Sequence, residues 1–257
     1  MDGDVSRGSA ALRILLLADS LSFQGPQGIV APKDPRLYPQ VLAHHLTSRL
    51  SLPVEIGTSA REGWTAREAW WAVTKDPWVY GTWLATADVC VVGVGGMDQL
   101  PAIVPTYIRD SLPYIRSGAV RRRVRKLYRE WSPRGIAVTG GLMRQLPPAA
   151  TERYLTRIIQ AVRLIRGDIP IVAITPSPYG GRAYPSQKFH ASARQSMLTW
   201  GRVHGVGVVD IEQIVLAARA SGDSNPDGLH WGWSTHQAVG TALADEVMRL
   251  GSLTPSE

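Results

Sequence analysis

Apolar residues follow two alternating patterns along the chain. Five short runs have the composition of strands, and the first is apolar at nearly every position, which is typical of a strand that is buried on both faces of a parallel sheet. They cover residues 12–18, 53–58, 87–94, 169–175 and 207–211. Between these runs, apolar residues recur at helical spacing. That spacing predicts helices that begin near residue 34, at residue 65 and at residue 234, and helices over residues 103–115, 151–165 and 191–203.

Two of the predicted helix starts carry the signature of a capping box. Thr65 is followed three residues later by Glu68, and Ser234 by Gln237. In such a box the two side chains satisfy amide groups that have no partner inside the helix. Strands therefore alternate with helices along the whole chain. This alternation predicts an α/β fold, a doubly wound sheet with helices on both faces.

A loop late in the chain offers an acid and an imidazole three residues apart. Asn225-Pro226-Asp227-Gly228 has the composition of a turn, and His230 lies two residues beyond it. A carboxylate that holds one imidazole nitrogen fixes the tautomer of the ring and supports the cation that forms when the other nitrogen takes a proton. Such a pair needs a nucleophile, for which Ser20, just past the first predicted strand, is the candidate. Taken singly, such residues are more often ordinary turn or cap residues.

The residues with catalytic potential share one position in the predicted fold. Ser20, Gly63, Met97-Asp98 and the 227–230 loop all follow predicted strands. In open α/β sheets, ligands bind beyond the carboxyl ends of the strands. The sequence therefore predicts that these residues lie on one rim of the sheet and form a site there.

Composition narrows the class of protein. At 257 residues the chain can bury a full core, most economically as one domain, and its hydrophobic content of 44% is that of a globular protein. No apolar run is long enough to span a bilayer, and residues 1–10 lack the pattern of a signal peptide. The single cysteine, Cys90, lies in an apolar run and excludes an internal disulfide. Together these features favour the cytoplasm.

The positive charge is concentrated in one segment. Residues 116–134 contain eight basic residues and one acidic residue, which accounts for the whole net charge of +7. A solvated helix face, an amphipathic helix on an acidic membrane surface, and a lid that offers cations to a ligand all fit this pattern. We favour the lid, because the segment follows Met97-Asp98 directly. Since the remainder is near neutral and has no nucleic-acid-binding motif, we expect no nucleic-acid partner.

Aromatic residues and histidines allow two further hypotheses. Five of the nine tryptophans lie between Trp64 and Trp83, where they could serve core packing or form an apolar wall for a lipid-like or sugar substrate. The loop that begins at Phe23 could form part of the same wall. His44 and His45 have no acid or cysteine at metal-binding spacing, so we interpret them as helix-face residues and expect no metal site.

Four motifs resemble the blocks of the SGNH (GDSL-like) hydrolase superfamily in chain order. They are Asp19-Ser20-Leu21-Ser22, Glu62-Gly63-Trp64-Thr65, Gly95-Gly96-Met97-Asp98 and Asp227-Gly228-Leu229-His230. Ala18 stands where the first block usually has glycine. The resemblance covers nearly the whole chain and implies a three-layer αβα sandwich, flavodoxin-like, with about five parallel strands. It implies one domain over residues 1–257, with a basic helical insertion or lid at residues 116–150.

The resemblance also implies roles for individual residues. Ser20 would be the nucleophile, His230 its base and Asp227 the residue that orients His230, and the backbone N–H groups of Ser20 and Gly63 would form the oxyanion hole. The third block normally supplies an asparagine to that hole, but this chain has Met97, which cannot donate a hydrogen bond. The residues that we expect to contact substrate are Asp19, Gln24, Trp64, Met97, Asp98, Arg121, Arg122 and Trp231.

The same blocks, together with Trp70-Trp71 and the basic segment, look most like a branch of acyltransferases that also has methionine in the third block. That branch implies transfer of a medium-chain acyl group from acyl-CoA, as a co-substrate, to a glycoside acceptor, with no bound cofactor. Two alternatives stay open. A plain SGNH esterase or thioesterase would use the same triad with water as the acceptor, and a non-catalytic carbohydrate-binding relative would account for Met97.

Overall fold

Five parallel strands form the central sheet of the computed structural model, which describes residues 11–104, 108, 111 and 114–251. The strands are β1 (Leu12–Ala18), β2 (Val54–Ala60), β3 (Val89–Gly93), β4 (Ile171–Ile174) and β5 (Gly207–Val209). Their order is β2-β1-β3-β4-β5. This is the flavodoxin-like order, in which the chain reverses its direction of winding between β1 and β3. The carboxyl ends of those two strands therefore border a crevice that can hold a ligand.

Seven α-helices lie within the described residues, and all but the third of them cover the two faces of this sheet. They are α1 (Tyr38–Leu50), α2 (Ala66–Lys75), α3 (Gly118–Thr139), α4 (Pro148–Arg166), α5 (His190–His204), α6 (Glu212–Ala220) and α7 (Trp233–Gly251). Helices α2, α4 and α5 pack on one face, and α1, α6 and α7 pack on the other. The result is the predicted three-layer αβα sandwich.

The central strand β1 shows why the sequence requires two helical layers. Successive side chains of a strand point to opposite faces of the sheet. Leu15 and Leu17 enter the core beneath α2, α4 and α5, whereas Ile14 and Leu16 enter the core beneath α1 and α7. All four side chains are fully buried. A strand that is apolar on both faces is stable only when both faces are covered.

Most predicted elements are confirmed, with small shifts at their ends. All five strands are present, and the capping box of Thr65 and Glu68 opens α2 as expected. The capping box predicted at Ser234 is wrong, because α7 begins at Trp233 and its first amides donate to the carboxylate of Asp223. Helix α6 has no counterpart among the predicted elements. The helix expected over residues 103–115 lies largely outside the described residues.

The basic segment forms the 22-residue helix α3. After α3, Met143–Arg144 pairs antiparallel with Pro101–Ala102, so the segment rejoins the fold next to the end of the third motif. A second pair of two-residue antiparallel strands, Gln24–Gly25 and Gly28–Ile29, follows β1 in the chain. Across the described residues, no helix combines the length and apolarity needed to cross a bilayer.

Candidate active site

Ser20, His230 and Asp227 form a continuous chain of hydrogen bonds. The Oγ atom of Ser20 lies 2.9 Å from Nε2 of His230, and Nδ1 of the same ring lies 2.5 Å from Oδ2 of Asp227. With its proton on Nδ1, the ring donates to the carboxylate and accepts from the serine hydroxyl. The three residues are therefore arranged for His230 to remove the proton of Ser20.

The turn that carries Asp227 is fixed by its own backbone. One oxygen of Asp227 accepts the amide protons of Leu229 and His230, at 2.7 and 3.0 Å, which leaves the other oxygen for the ring. Burial alone would raise the pKa of Asp227, but the hydrogen bonds from His230 and Leu229 outweigh it and hold the pKa below its usual value. Asp227 is therefore ionised at neutral pH, as the support of an imidazolium requires.

The side chain of Asn225 and the close approach of Gly228 to Gly180 hold this turn in place. The side-chain oxygen of Asn225 accepts the amide proton of Asp227, and its nitrogen donates to the carbonyl of Gly25, both at 3.0 Å. Gly228 has a φ of +73°, and a Cβ there would meet the carbonyl oxygen of Gly180 at 1.9 Å. Only glycine fits such a close backbone approach at positive φ without strain.

Ser20 opens a short 3₁₀ turn at the carboxyl end of β1. Asp19 caps this turn by accepting the amide proton of Leu21 at 3.0 Å. The hydroxyl of Ser22 donates to the carbonyl of Asp19 at 2.8 Å. These bonds fix the backbone on both sides of Ser20, so the serine position follows from the sheet and not from a free loop.

A cavity of about 920 Å³ opens in front of the triad. It contacts Ser20 and His230 and is bordered by residues that follow four of the five strands. Its walls include Asp19, Leu21, Glu62, Gly63, Trp64, Arg67, Glu68, Trp71, Gly96, Met97, Leu100, Ser177, Tyr179, Tyr184 and Leu229. Residues of all four motifs therefore meet around one cavity at the carboxyl edge of the sheet, as predicted.

Gly63 and Met97 face each other at this cavity. Gly63 has a φ of +74°, and a Cβ built on it would lie 4.0 Å from the terminal methyl of Met97. The methionine thus occupies the neighbourhood in which the superfamily places an asparagine donor, and it presents an apolar methyl group. The N–H groups of Ser20 and Gly63 stay the predicted donors for an oxyanion.

Five of the eight residues expected to contact substrate do not line the cavity. Trp231 is buried behind it and donates its indole N–H to the hydroxyl of Ser177 at 3.0 Å. Gln24 is also buried, and its backbone carbonyl accepts a hydrogen bond from Nε2 of His236. Arg121 and Arg122 lie on α3, outside the cavity lining. These placements correct the expectation of direct contact, since a short distance in sequence to a motif does not fix the direction of a side chain.

Asp98 is the fifth of these residues, and it supports the structure from behind the cavity. Its carboxylate accepts the amide proton of Ala66 at 3.1 Å and the hydroxyl proton of Thr151 at 2.9 Å, which ties α2 to α4. Burial raises the pKa of Asp98 to about 7, and burial together with the nearby Asp98 raises that of Asp19 to about 7. The two buried acids therefore share a local environment that disfavours a double negative charge.

The tryptophans serve both expected roles. Trp64 and Trp71 line the cavity, and Trp64, Trp70 and Trp83 pack against the hydrophobic core. Phe23 is not part of the cavity lining, which corrects its expected place in an apolar wall.

Sequence reasoning missed the wall that follows β4. Ser177, Tyr179 and Tyr184 line the cavity, and the hydroxyl of Tyr179 is buried without a hydrogen-bond partner in the described part of the chain. The signal available was their position, because the Pro176-Ser177-Pro178 turn follows a strand in the same way as the first three motifs do.

The described residues contain no cluster of three or more histidine, cysteine, aspartate or glutamate side chains that could hold a metal ion. His45 instead lies within hydrogen-bond distance of Gln237 and Thr241 on α7. Cys90 is buried in β3, and burial raises the pKa of its thiol to about 12, so it is not a nucleophile at neutral pH.

Solved structures of known proteins identify the fold. A lipase/acylhydrolase from Enterococcus faecalis aligns with a TM-score of 0.63 and 15% identity, over 95% of this chain and 99% of that one. A GDSL-like lipase from Parabacteroides merdae aligns with a TM-score of 0.56 and 14% identity, over 96% and 99% of the two chains. The fold is that of the SGNH, or GDSL-like, hydrolases.

Sequence relatives narrow the class to one family, although no protein-family model matches the chain. The diglucosylglycerate octanoyltransferase of Mycolicibacterium hassiacum is 37% identical over 93% of this chain and 95% of its own length. That of Mycobacterium tuberculosis is 34% identical over 96% of each chain. The chain belongs to the diglucosylglycerate octanoyltransferase family. Family and fold together make it an enzyme of the acyltransferase and esterase type.

Proposed function

We propose that this enzyme transfers an octanoyl group from octanoyl-CoA to a hydroxyl of diglucosylglycerate, in the biosynthesis of methylglucose lipopolysaccharides. The observation that carries the proposal is the Ser20–His230–Asp227 chain of hydrogen bonds, which opens on a large cavity in a member of this family. The acyl group and the acceptor come from the name of the relatives. The coenzyme A thioester as donor, and the cytoplasm as the place of the reaction, belong to the proposal.

The first half of the reaction acylates Ser20. His230 takes the hydroxyl proton through Nε2 while the serine oxygen attacks the thioester carbonyl carbon. Collapse of the tetrahedral intermediate breaks the carbon–sulfur bond, and the departing sulfur takes the proton from His230. Free coenzyme A and an octanoyl ester on Ser20 result. Asp227 holds the ring in the required tautomer throughout, because its Oδ2 accepts the proton of Nδ1.

The second half of the reaction returns the enzyme to its starting state. A hydroxyl of the acceptor gives its proton to His230 and attacks the acyl-serine carbonyl carbon. The bond from that carbon to the Ser20 oxygen then breaks, and His230 returns the proton to Ser20. Transfer instead of hydrolysis requires that the acceptor outcompetes water, so the walls of the cavity must exclude water when the acyl group is bound.

Met97 is compatible with a thioester donor. Removal of one oxyanion donor typically costs about a hundred- to a thousandfold in turnover. A thiolate leaves more readily than an alkoxide, so the N–H groups of Ser20 and Gly63 are sufficient for this donor in our proposal. The side chain of Met97 would instead add an apolar contact for the acyl chain.

The cavity offers distinct surfaces for the two substrates. Leu21, Trp64 and Trp71 form an apolar wall on the side of β1 and β2. Glu62 and Tyr184 offer hydrogen-bonding groups suited to sugar hydroxyls. We assign the acyl chain to the first set and the glycoside to the second. Arg121 and Arg122 would approach the phosphates of coenzyme A, or the glycerate carboxylate, only when both substrates extend beyond the cavity.

Intact-mass measurement after mixing the enzyme with octanoyl-CoA tests the mechanism. We expect one added octanoyl group on the wild type, none on Ser20→Ala, and one added group on Ser48→Ala, which changes an exposed serine of α1 and is the matched control. The adduct should discharge faster to diglucosylglycerate than to water. If neither the wild type nor the control forms an adduct or turns over, the chain is a non-catalytic relative that binds carbohydrate.

Hydrolysis is the second candidate function, because the structural neighbours include a lipase/acylhydrolase and an aryl esterase. The same experiment separates the two functions. Rapid loss of the octanoyl group to water, with no acceleration by the sugar, would assign an esterase or thioesterase activity to the same triad.

A further inference from the structure

Helix α3 is attached to the rest of the protein by only a small part of its surface. Of its 22 residues, only Ser132 and Ile136 have buried side chains, and both lie in its second half. Gly135 also lies next to Ile103, which follows the third motif. Most of a helix roughly 33 Å long is therefore exposed to solvent.

The exposed surface of α3 carries a row of apolar side chains, which we call the apolar stripe. It consists of Val120, Leu127, Trp131 and Val138, which are 50%, 47%, 61% and 87% exposed. Their spacing of seven, four and seven residues places them on one face of the helix. Several exposed apolar side chains aligned on one helix face mark an interaction site more often than isolated apolar residues do.

The helix that carries the apolar stripe is strongly positive. Helix α3 carries six arginines and one lysine against a single acid, Glu130. The guanidinium of Arg134 lies 5.6 Å from the centre of the Trp131 ring, at the edge of the stripe. A second copy of the chain that packed against the same stripe would bring two strongly positive helices together, which is unfavourable. The complementary partner is a surface that is both apolar and anionic.

We propose that α3 docks on the surface of an anionic phospholipid bilayer. The apolar stripe would enter the headgroup region, where tryptophan is favoured, and the cations would meet the lipid phosphates. The docked helix lies next to the active site, because α3 packs on the Pro101–Ala102 strand that directly follows Leu100 of the cavity wall. This inference is independent of the proposed acyl transfer and holds for a hydrolase equally well.

Sedimentation of the full chain with vesicles tests the proposal. We expect binding to vesicles that contain phosphatidylglycerol and phosphatidylcholine, weaker binding to pure phosphatidylcholine, and weakening as salt increases. Leu127→Ser with Trp131→Ser should lower the affinity for the anionic vesicles at least tenfold. Arg123→Gln with Lys126→Gln and Arg134→Gln should lower it about a hundredfold, at roughly fivefold per charge.

Leu164→Ser with Val203→Ser is the matched control, because it removes two exposed apolar side chains on α4 and α5 and should leave binding unchanged. Thermal unfolding checks that every variant is folded. Three results would each overturn the proposal: no binding of the wild type to anionic vesicles, equal binding to neutral vesicles, or unchanged binding of the stripe variant. If the wild type does not bind anionic vesicles, sedimentation velocity shows whether the stripe has another partner. A dimeric wild type and a monomeric stripe variant would assign the stripe to a second copy of the chain.

Discussion

Replacing Asp227 by asparagine tests the role of the triad with little disturbance of the fold. The oxygen of the new amide side chain can still accept the amide protons of Leu229 and His230, which Oδ1 of Asp227 accepts now. The nitrogen of that side chain would then face Nδ1 of His230 and donate to it. The ring proton would therefore move to Nε2, where it faces Ser20, and His230 could no longer act as its base.

The expected loss of acylation rate in Asp227→Asn depends on this change of tautomer and on the solvent exposure of the carboxylate. The equivalent change in a serine protease lowers turnover about ten-thousandfold while preserving geometry. Here the side chain of Asp227 is 41% exposed, so water can screen the charge and stabilise part of the imidazolium. We therefore expect acylation to slow by about a thousandfold, with unfolding free energy changed by less than about 1 kcal/mol because both amide hydrogen bonds persist.

Single-turnover release of coenzyme A from octanoyl-CoA measures this step directly. Asp223→Asn is the matched control, because that carboxylate also accepts two backbone amides nearby but takes no part in the triad. It should retain acylation within a fewfold of the wild type. If Asp227→Asn acylates within tenfold of the wild type while remaining folded, the carboxylate does not set the tautomer of His230 and the triad assignment fails.

Three further predictions concern the surroundings of the triad. Met97→Asn should increase hydrolysis of p-nitrophenyl octanoate at least tenfold, because a third oxyanion donor helps most when the leaving group is not a thiolate. A rate no higher than that of Met97→Leu would show that a donor at position 97 does not stabilise the oxyanion. Gly228→Ala should lower stability by about 2–3 kcal/mol and abolish acylation, since a Cβ there collides with a carbonyl oxygen at positive φ; a urea midpoint equal to that of the wild type would contradict this. Asp19 and Asp98 have pKa values raised to about 7, so the folded state binds more protons than the unfolded state between about pH 4 and 7, and stability should fall as pH rises through that range. Asp98→Asn should reduce this dependence of the urea midpoint on pH, and a slope equal to that of the wild type would exclude Asp98 as a source.

The parts of the fold that the sequence predicts are those in which one local pattern suffices. Strand β1 has its predicted bounds, because seven consecutive apolar or strand-compatible residues end at a polar Asp19-Ser20 step. The start of α2 is predictable because both members of its capping box lie within four residues. Helix α6 escapes prediction for the opposite reason, since no side chain caps it and only Val215 and Ala218 are buried.

The candidate site divides in the same way. Ser20, Gly63 and Met97 could be placed on one rim because each follows a strand, and the order of parallel strands brings their ends together. The loop of His230 reaches the same rim although it follows α6 and not a strand, so the prediction that this loop follows a strand is wrong. The direction of a side chain at a strand end depends on tertiary contacts that no local pattern encodes. Asp98 follows Met97 directly but points away from the cavity, toward Thr151 on α4.

In the proposed function, activity and specificity are distributed over different parts of the protein. Ser20 and the turn of Asp227 are held by backbone hydrogen bonds at the sheet edge, so their geometry tolerates changes elsewhere. Trp71 and the helix α3 project from that edge and are partly or largely exposed. Changes in α3 or near Trp71 can therefore alter which acyl donor or surface is bound without disturbing proton transfer. A chain with this arrangement can keep the triad of an esterase while the choice between water and a sugar acceptor is made by the residues that surround it.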